Sequence, residues 1–393
     1  MAGAQKMKVG TLTWEFPPRV VGGIARHCEG LAKALVKQNH DVHLFTLDFP
    51  GSPAYEEMDG VKVYRASTEL GHPNFLTWVL LFNHFLSKRM ADVSQKVDFD
   101  VMHVHDWLAA FSGISFKHYL DKPIVFTVHS TEIGRAQGLH SPDSFSIDGI
   151  EWWANYEANR VIVCSKSMKT EICDHFDLPK EKVDIIPNAI DATQYQASAD
   201  PSVVRPRYGM GFGEKLVLCV GRLVPQKGME YFIRAIPLVA KRFPEARFVI
   251  VGEGWSRDIL EEEARKSGHS EKIRFTGFLP DQEVIDLMSS ADVLVVPSIY
   301  EPFGIVALEG MATGAPVVAS NVGGLSEVID HEETGIFVYP KSPESIAWGI
   351  GRVLSDPEHA RWLTENAKIK LHKAYSWEAV AMKTVEVYKK VVK

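Results

Sequence analysis

Short apolar runs recur along the chain, and each is followed by a segment of helical period. Runs that are apolar at every position suit strands buried on both faces, as in a parallel sheet. The first half reads as strands at 8–14, 41–47, 60–65, 100–106, 123–129 and 160–165, with 60–65 alternating like a short edge strand, and the run 183–191 closes it. A helix is expected at 24–38, where Ile24, Cys28, Leu31, Leu35 and Val36 share a face. Further helices are expected at 72–96, in one or two pieces, and at 107–119, 149–160 and 166–176. Residues 130–148 lack a clear period, so a long loop, functional or mobile, is expected there. A composition break at 197–214, with Pro201, Pro206 and three glycines, marks a linker at its start.

The alternation then restarts. Strands are expected at 215–221, 246–252, 273–277, 291–297, 315–320 and 334–338, and helices at 228–243, 255–267, 280–290, 305–312 and 343–354. The tail 375–392 is an amphipathic helix opened by Ser376 as cap. Two successive β/α stretches predict an α/β protein of two doubly wound parallel-sheet domains. Their expected bounds are 1–196 together with 375–393, and 197–374.

Composition narrows the picture. A length of 393 residues fits two domains of roughly 100–200 residues each. With 46% hydrophobic and 24% charged residues, the chain builds cores and is not disordered. The net charge of −7 with scattered Lys and Arg argues against nucleic acid as a partner. The cysteines, Cys28, Cys164, Cys173 and Cys219, form no C-x-x-C and read as buried free thiols in a reducing compartment. The longest apolar run, 76–82, is far short of the ~20 residues that span a bilayer. Lys6 and Lys8 lead into an apolar segment that reads as a strand, not a cleaved leader. A cytoplasmic protein is expected, with peripheral membrane contact left open.

The candidate chemistry centres on 291–312. An apolar strand ends, a loop carries Glu301, and a helix follows that carries Glu309. Ligands of open α/β sheets bind where strands end and helices start, and the free N–H groups of a helix start hold anions. The amides of Phe303, Gly304 and Ile305 would meet a phosphate, with Glu301 accepting from sugar hydroxyls and Glu309 from ribose hydroxyls. A second loop, 221–228, offers Arg222 as a fork for phosphate oxygens and Lys227 as a point charge. Gly22 and Gly23 open the first helix and allow close backbone approach. His129 ends a strand. His103 and His105 share a strand face next to Asp106, but no third metal ligand is placed by the sequence, and no metal site is assigned. Gly252 and Gly254 start like a dinucleotide fingerprint, but Arg257 stands where its third glycine belongs.

Together these motifs resemble glycosyltransferase family 4, the retaining, glycogen-synthase-like group with the GT-B fold. Gly22 and Gly23, His129, the run 187–191, Gly221 with Arg222, Lys227 with Gly228, Glu301 to Gly304 with Glu309, and the run 322–328 carry the likeness. It covers nearly the whole chain and is strongest at 215–338. The resemblance implies two Rossmann-like domains facing across a cleft, the first holding the acceptor and the second a nucleoside-diphosphate sugar. The last helix would cross back to the first domain. Arg222 and Lys227 would grip the diphosphate, so neither a metal nor another cofactor is needed. Glu301, Phe303 and Gly304 would hold the sugar, with His129, Gly22 and Gly23 facing it. Glycogen synthases proper carry a lysine just before the glycine pair. Here Val20 and Val21 stand there, with Arg19 the nearest cation.

The expected reaction is transfer of a hexose, glucose foremost, from an ADP-, UDP- or GDP-sugar to a carbohydrate acceptor with retention. His129, Arg222, Lys227 and Glu301 would carry it, and Glu132, Trp152 and Trp153 would meet the acceptor. A GDP-mannose transferase with a lipid-linked or small acceptor stays open. So does a nucleotide-sugar epimerase, for which Glu132 and Asp106 are the available carboxyls. A phosphorylase lacks a lysine for pyridoxal phosphate, and the intact charged motifs argue against a silent sugar-binding protein. Oligomeric state is not legible.

Overall fold

A computed structural model describes residues 6–68 and 70–392. The chain divides into two compact units. One runs to Ala189 and resumes at Trp377, and the other is Ile190–Ser376.

The first unit is built on an eight-stranded sheet: β1 (Lys8–Leu12), β2 (Asp41–Leu47), β3 (Tyr55–Met58), β4 (Val61–Ala66), β5 (Val101–His105), β6 (Ile124–Val128), β7 (Arg160–Val163) and β8 (Val183–Ile185). Their order is β3-β4-β2-β1-β5-β6-β7-β8. All neighbours are parallel except β3 and β4. β4 is therefore not the edge that its alternation implied, because β3 covers it. The sheet reverses direction at β1, whose neighbours are β2 and β5. Ligand crevices open beside the carboxyl ends of such strands.

The first helix, Gly23–Lys37, buries Ala25, His27, Cys28, Leu31 and Leu35. A Cβ on Gly30 would lie 2.1 Å from the Trp377 ring, so only glycine lets the final helix, Trp377–Lys389, seat there. Val380, Ala381, Val385 and Tyr388 of that helix join the core formed by Val9, Leu31, Val42 and Val101. The 72–96 segment is one helix, Phe75–Ser94, capped by Asn74.

Two expectations fail for the same reason. The supposed loop at 130–148 contains the short helix Glu132–Arg135 and the start of Pro142–Glu157. Likewise the composition break at 197–214, where no helix was expected, contains the helix Pro201–Arg207. Both longer helices open with proline at their start, behind Ser141 and Asp200 as caps. Proline there costs no hydrogen bond, so these are start signals that read as breakers. Ser141 and Ser144 form a reciprocal capping box.

The second unit holds six parallel strands: β9 (Lys215–Val220), β10 (Ala246–Val251), β11 (Ile273–Gly277), β12 (Val293–Val296), β13 (Val317–Ser320) and β14 (Ile336–Val338). Their order is β11-β10-β9-β12-β13-β14, and the reversal lies between β9 and β12. Val217, Cys219, Phe232, Ile236, Phe248 and Val295 form its core. The helix Pro357–Ala374, not anticipated from the sequence, packs on Ile305–Thr313. All four cysteines are buried, and none forms a disulfide. No described helix is long and apolar enough to cross a membrane.

Candidate functional site

In the second unit the site elements lie at the β9/β12 reversal. β9 ends in Gly221, the tight turn Pro225–Lys227 follows, and Gly228 at φ +66° opens the helix Met229–Arg242. A Cβ on Gly228 would lie 2.0 Å from the Pro297 carbonyl oxygen. The Lys227 loop and the loop after β12 therefore touch backbone to backbone. Gly252 and Gly254 have a similar duty, since Cβ atoms there would meet the carbonyls of Gly221 and Leu223 at 2.0 and 2.3 Å. The partial dinucleotide fingerprint is thus explained by loop packing.

This closeness brings Lys227 Nζ to 2.6 Å from Glu301 Oε2. Ser298 Oγ donates to the same oxygen at 3.0 Å, and Glu301 is buried. The loop is locked further by Gly324 N–H, which donates to the Glu301 carbonyl at 2.9 Å. Arg222 is exposed and makes no ion pair among the described residues. Gly304, at φ +109°, turns the chain into the helix Ile305–Thr313. The N–H groups of Phe303, Gly304 and Ile305 find no partner among the described residues, as the first turn of a helix requires. The Phe303 ring is buried, edge-on to Tyr375. Only its backbone faces this chemistry. Glu309 is half-buried and accepts a hydrogen bond from Tyr195 at 3.0 Å.

In the first unit the polar groups gather at the carboxyl ends of β1, β5 and β6. Glu15 is buried and accepts from the N–H groups of Val21 and Gly22 at 2.6 and 3.0 Å. The Gly22 amide is therefore engaged within the chain, contrary to the expectation that it stood free for a ligand. Gly23 is exposed at the helix start. Arg19 donates to the Asp48 carbonyl at 2.7 and 3.1 Å, so it does not replace the lysine that precedes the glycine pair in glycogen synthases.

His129 follows β6 and is half-buried. Its N–H donates to Asp106 Oδ1 at 2.7 Å, and its Nε2 lies 3.1 Å from His105 Nδ1. The His27 ring meets His129 edge-on, with centroids 4.7 Å apart. His103 does not join them as a ligand, because Tyr388 and Thr127 take both its nitrogens at 2.7 Å. Burial pushes the His27 and His105 imidazoles well below the ordinary histidine range and holds His129 at about 3. The rings are neutral at pH 7. Burial raises the Asp106 carboxyl to about 6, with Arg135 and the amides of His129 and Ser130 opposing it.

The expected acceptor residues are scattered. Glu132 pairs with Arg135 at 3.0 Å, and its N–H donates to buried Glu151. Trp152 is exposed and stacks on Tyr156, whereas Trp153 packs edge-on against Phe111. Sequence reasoning missed Tyr195, Ser298, His27 and Asn188. Their roles depend on contacts between distant segments, although a polar residue closing an apolar strand, as Ser298 does, was an available signal.

Comparison with known proteins agrees across the chain. Residues 205–370 match the family described as Glycosyl transferases group 1, and residues 21–194 match Glycosyltransferase Family 4. An uncharacterized glycosyltransferase of Methanocaldococcus jannaschii is 46% identical over 98% of both chains. A glycogen synthase of Mycobacterium tuberculosis is 35% identical over 97% of this chain and 94% of that one. Among solved structures, the sucrose-phosphate synthase of Thermosynechococcus elongatus superposes with a TM-score of 0.85 at 24% identity, covering 98% of this chain and 99% of that one.

Proposed function

Since the chain belongs to glycosyltransferase family 4 and is a glycosyltransferase of GT-B fold, we propose that it transfers a glucosyl group from a nucleoside-diphosphate sugar to a carbohydrate hydroxyl, with retention. The observation that carries this reading is the Lys227–Glu301 pair beside the amides of Phe303, Gly304 and Ile305, which have no partner among the described residues. A nucleotide sugar presents the complementary set, a diphosphate joined to hydroxyl-rich rings.

In this reading the amides and Arg222 hold the diphosphate, and Lys227 sits with them. As the sugar leaves, negative charge builds on the phosphate. Donors fixed in advance stabilise that charge without reorganising. Glu309, steadied by Tyr195, accepts from the ribose. Glu301 accepts from the sugar and is held in place by Lys227 and Ser298. The leaving phosphate takes the acceptor proton, so no carboxylate nucleophile is required. His129 is a further catalytic residue in this reading, and Glu132 and Trp152 are the candidates for the acceptor surface. Trp153, packed on Phe111, supports that surface from beneath.

The 35% identical glycogen synthase supports a glucose donor. Val20 and Val21, with Arg19 committed elsewhere, make a carbohydrate acceptor in general a better statement than an α-glucan in particular. A thermal-shift screen with ADP-, UDP- and GDP-glucose and GDP-mannose tests the donor, because a ligand that binds the folded form raises its melting temperature. The preferred donor is then incubated with acceptors, and the new linkage is read by proton NMR. An α linkage is expected. A β linkage overturns retention, a GDP-mannose preference overturns glucose, and a new nucleotide sugar without any acceptor means epimerase.

A further inference from the structure

The three imidazoles at the carboxyl ends of the first unit's strands have a geometry that the transfer reaction does not explain. One ring nitrogen from each of His27, His105 and His129 lies within 4.8 Å of the other two. His27 Nδ1 faces Asn188 Oδ1 at 2.8 Å. A carbonyl-type oxygen only accepts, so His27 carries its proton on Nδ1 and a lone pair on Nε2. That Nε2 is buried and has no partner among the described residues, and the same is true of His105 Nε2. A buried polar atom without a partner is costly and asks for an explanation.

We propose that His27, His105 and His129 form a binding site for a divalent transition metal of the zinc class. Imidazole nitrogens are the commonest protein ligands of such metals. The donor set is nitrogen alone. The Asp106 carboxyl is occupied by the His129 amide. Imidazole sets favour zinc, cobalt, nickel and copper over magnesium, calcium and manganese, which prefer oxygen. The scaffold suits such a site. His105 ends β5 and His129 follows the adjacent β6, while His27 rides on the first helix. Asn188 fixes the His27 tautomer as an outer partner commonly does for a metal-bound imidazole. Tetrahedral bonds of about 2.0–2.1 Å bring nitrogens to about 3.3 Å of one another, so modest ring rotation closes the site. Half-buried His129 is the route of entry, and water completes the fourth position.

The consequence for activity rests on the proposed function. There His129 is catalytic, so a metal on its ring blocks transfer and acts as an inhibitor, not a cofactor. Binding itself is independent of that reading and is measured without substrate. Chelator-treated protein is titrated with cobalt, whose visible bands report four-coordinate nitrogen ligation, and the cobalt is then displaced with zinc. One metal per chain is expected. His27→Gln and His129→Asn should each weaken binding tenfold or more, and Asn188→Ala about tenfold through the outer partner. Replacing exposed His84 with Asn should leave binding unchanged. Thermal unfolding checks that each variant is folded, and Asn188→Ala keeps the test alive if a histidine variant is not. Absence of four-coordinate bands, or bands unchanged in all three site variants, overturns the site. If zinc binds in the spectroscopic assay but turnover does not fall, the site stands and its inhibition of transfer is overturned.

Discussion

In the second unit Lys227 faces Glu301 at 2.6 Å, a charged pair in partial contact with water. In the first unit three neutral imidazoles meet, and two of their nitrogens have no partner among the described residues. The two clusters occupy equivalent places, at the reversal point of a parallel sheet, yet they prepare for ligands differently. The charged cluster is held by its own opposite charges and by glycines that press the two loops together. The neutral cluster is held by desolvation, on strands that cannot move apart. A ligand therefore exchanges partners in the second unit and supplies missing ones in the first.

The largest expected difference between the clusters is in acid. Burial lowers the pKa of His27, His40, His43, His103, His105 and His129. The unfolded chain takes up protons at these sites as pH falls below about 6.5, and the folded first unit does not, so its stability drops over that window. Asp106, raised to about 6, and Glu151, raised by burial to about 8, act in the opposite sense. They are two carboxyls against six imidazoles, and the net direction holds. In the second unit the Arg247 ion pair holds the Glu214 carboxyl down, and the His359 amide holds Asp356 down. Stability from such groups is lost only as pH falls below about 4.5. Thermal unfolding of chelator-treated protein from pH 7.5 to 4 should show one transition moving first. Transitions that shift together from pH 7 downward contradict the contrast.

Next in size is the loss of charge. Arg222→Ala or Lys227→Ala should lower kcat by on the order of 10²-fold or more. Because Lys227 and Glu301 act as a pair, Lys227→Ala with Glu301→Gln should lose less than the sum of the two. Steady-state turnover with the preferred donor checks this, and near-native rates in both single variants remove these residues from the mechanism. Gly228→Ala puts a methyl group into the Pro297 carbonyl at a positive φ. It should cost about 2 kcal/mol of second-unit stability, read from denaturant unfolding. Glu309→Gln should raise the donor KM about tenfold through the loss of a charge-assisted bond. Tyr195→Phe should have a smaller effect of the same sign, and equal effects on kcat and KM would separate Glu309 from the ribose.

The contrast also explains what could be read from the sequence. β9, β12 and β13 announce themselves because a strand buried on both faces is apolar throughout. Glu301 and Lys227 were legible because each sits in the loop that directly follows such a strand, where charge is conspicuous. The imidazole cluster was not, since no local pattern links His27 to Asn188, 161 residues away. His103 and His105 share a strand face, but that face does not show that Tyr388 and Thr127 engage both nitrogens of His103. The helices Pro142–Glu157 and Pro201–Arg207 were hidden by serine and proline that cap helices as readily as they break them.

The seat of Trp377 on Gly30 bears on how the protein is made. The final helix supplies core residues of the first unit, and Tyr388 bonds His103 beneath the imidazole cluster. On the ribosome, the amino-terminal half emerges first but lacks that wedge. The middle of the chain, Ile190–Ser376, has its core complete earlier. Folding then runs against the usual order of synthesis, in which the leading domain folds first. The unit whose strands are made first is the one that waits for the helix Trp377–Lys389.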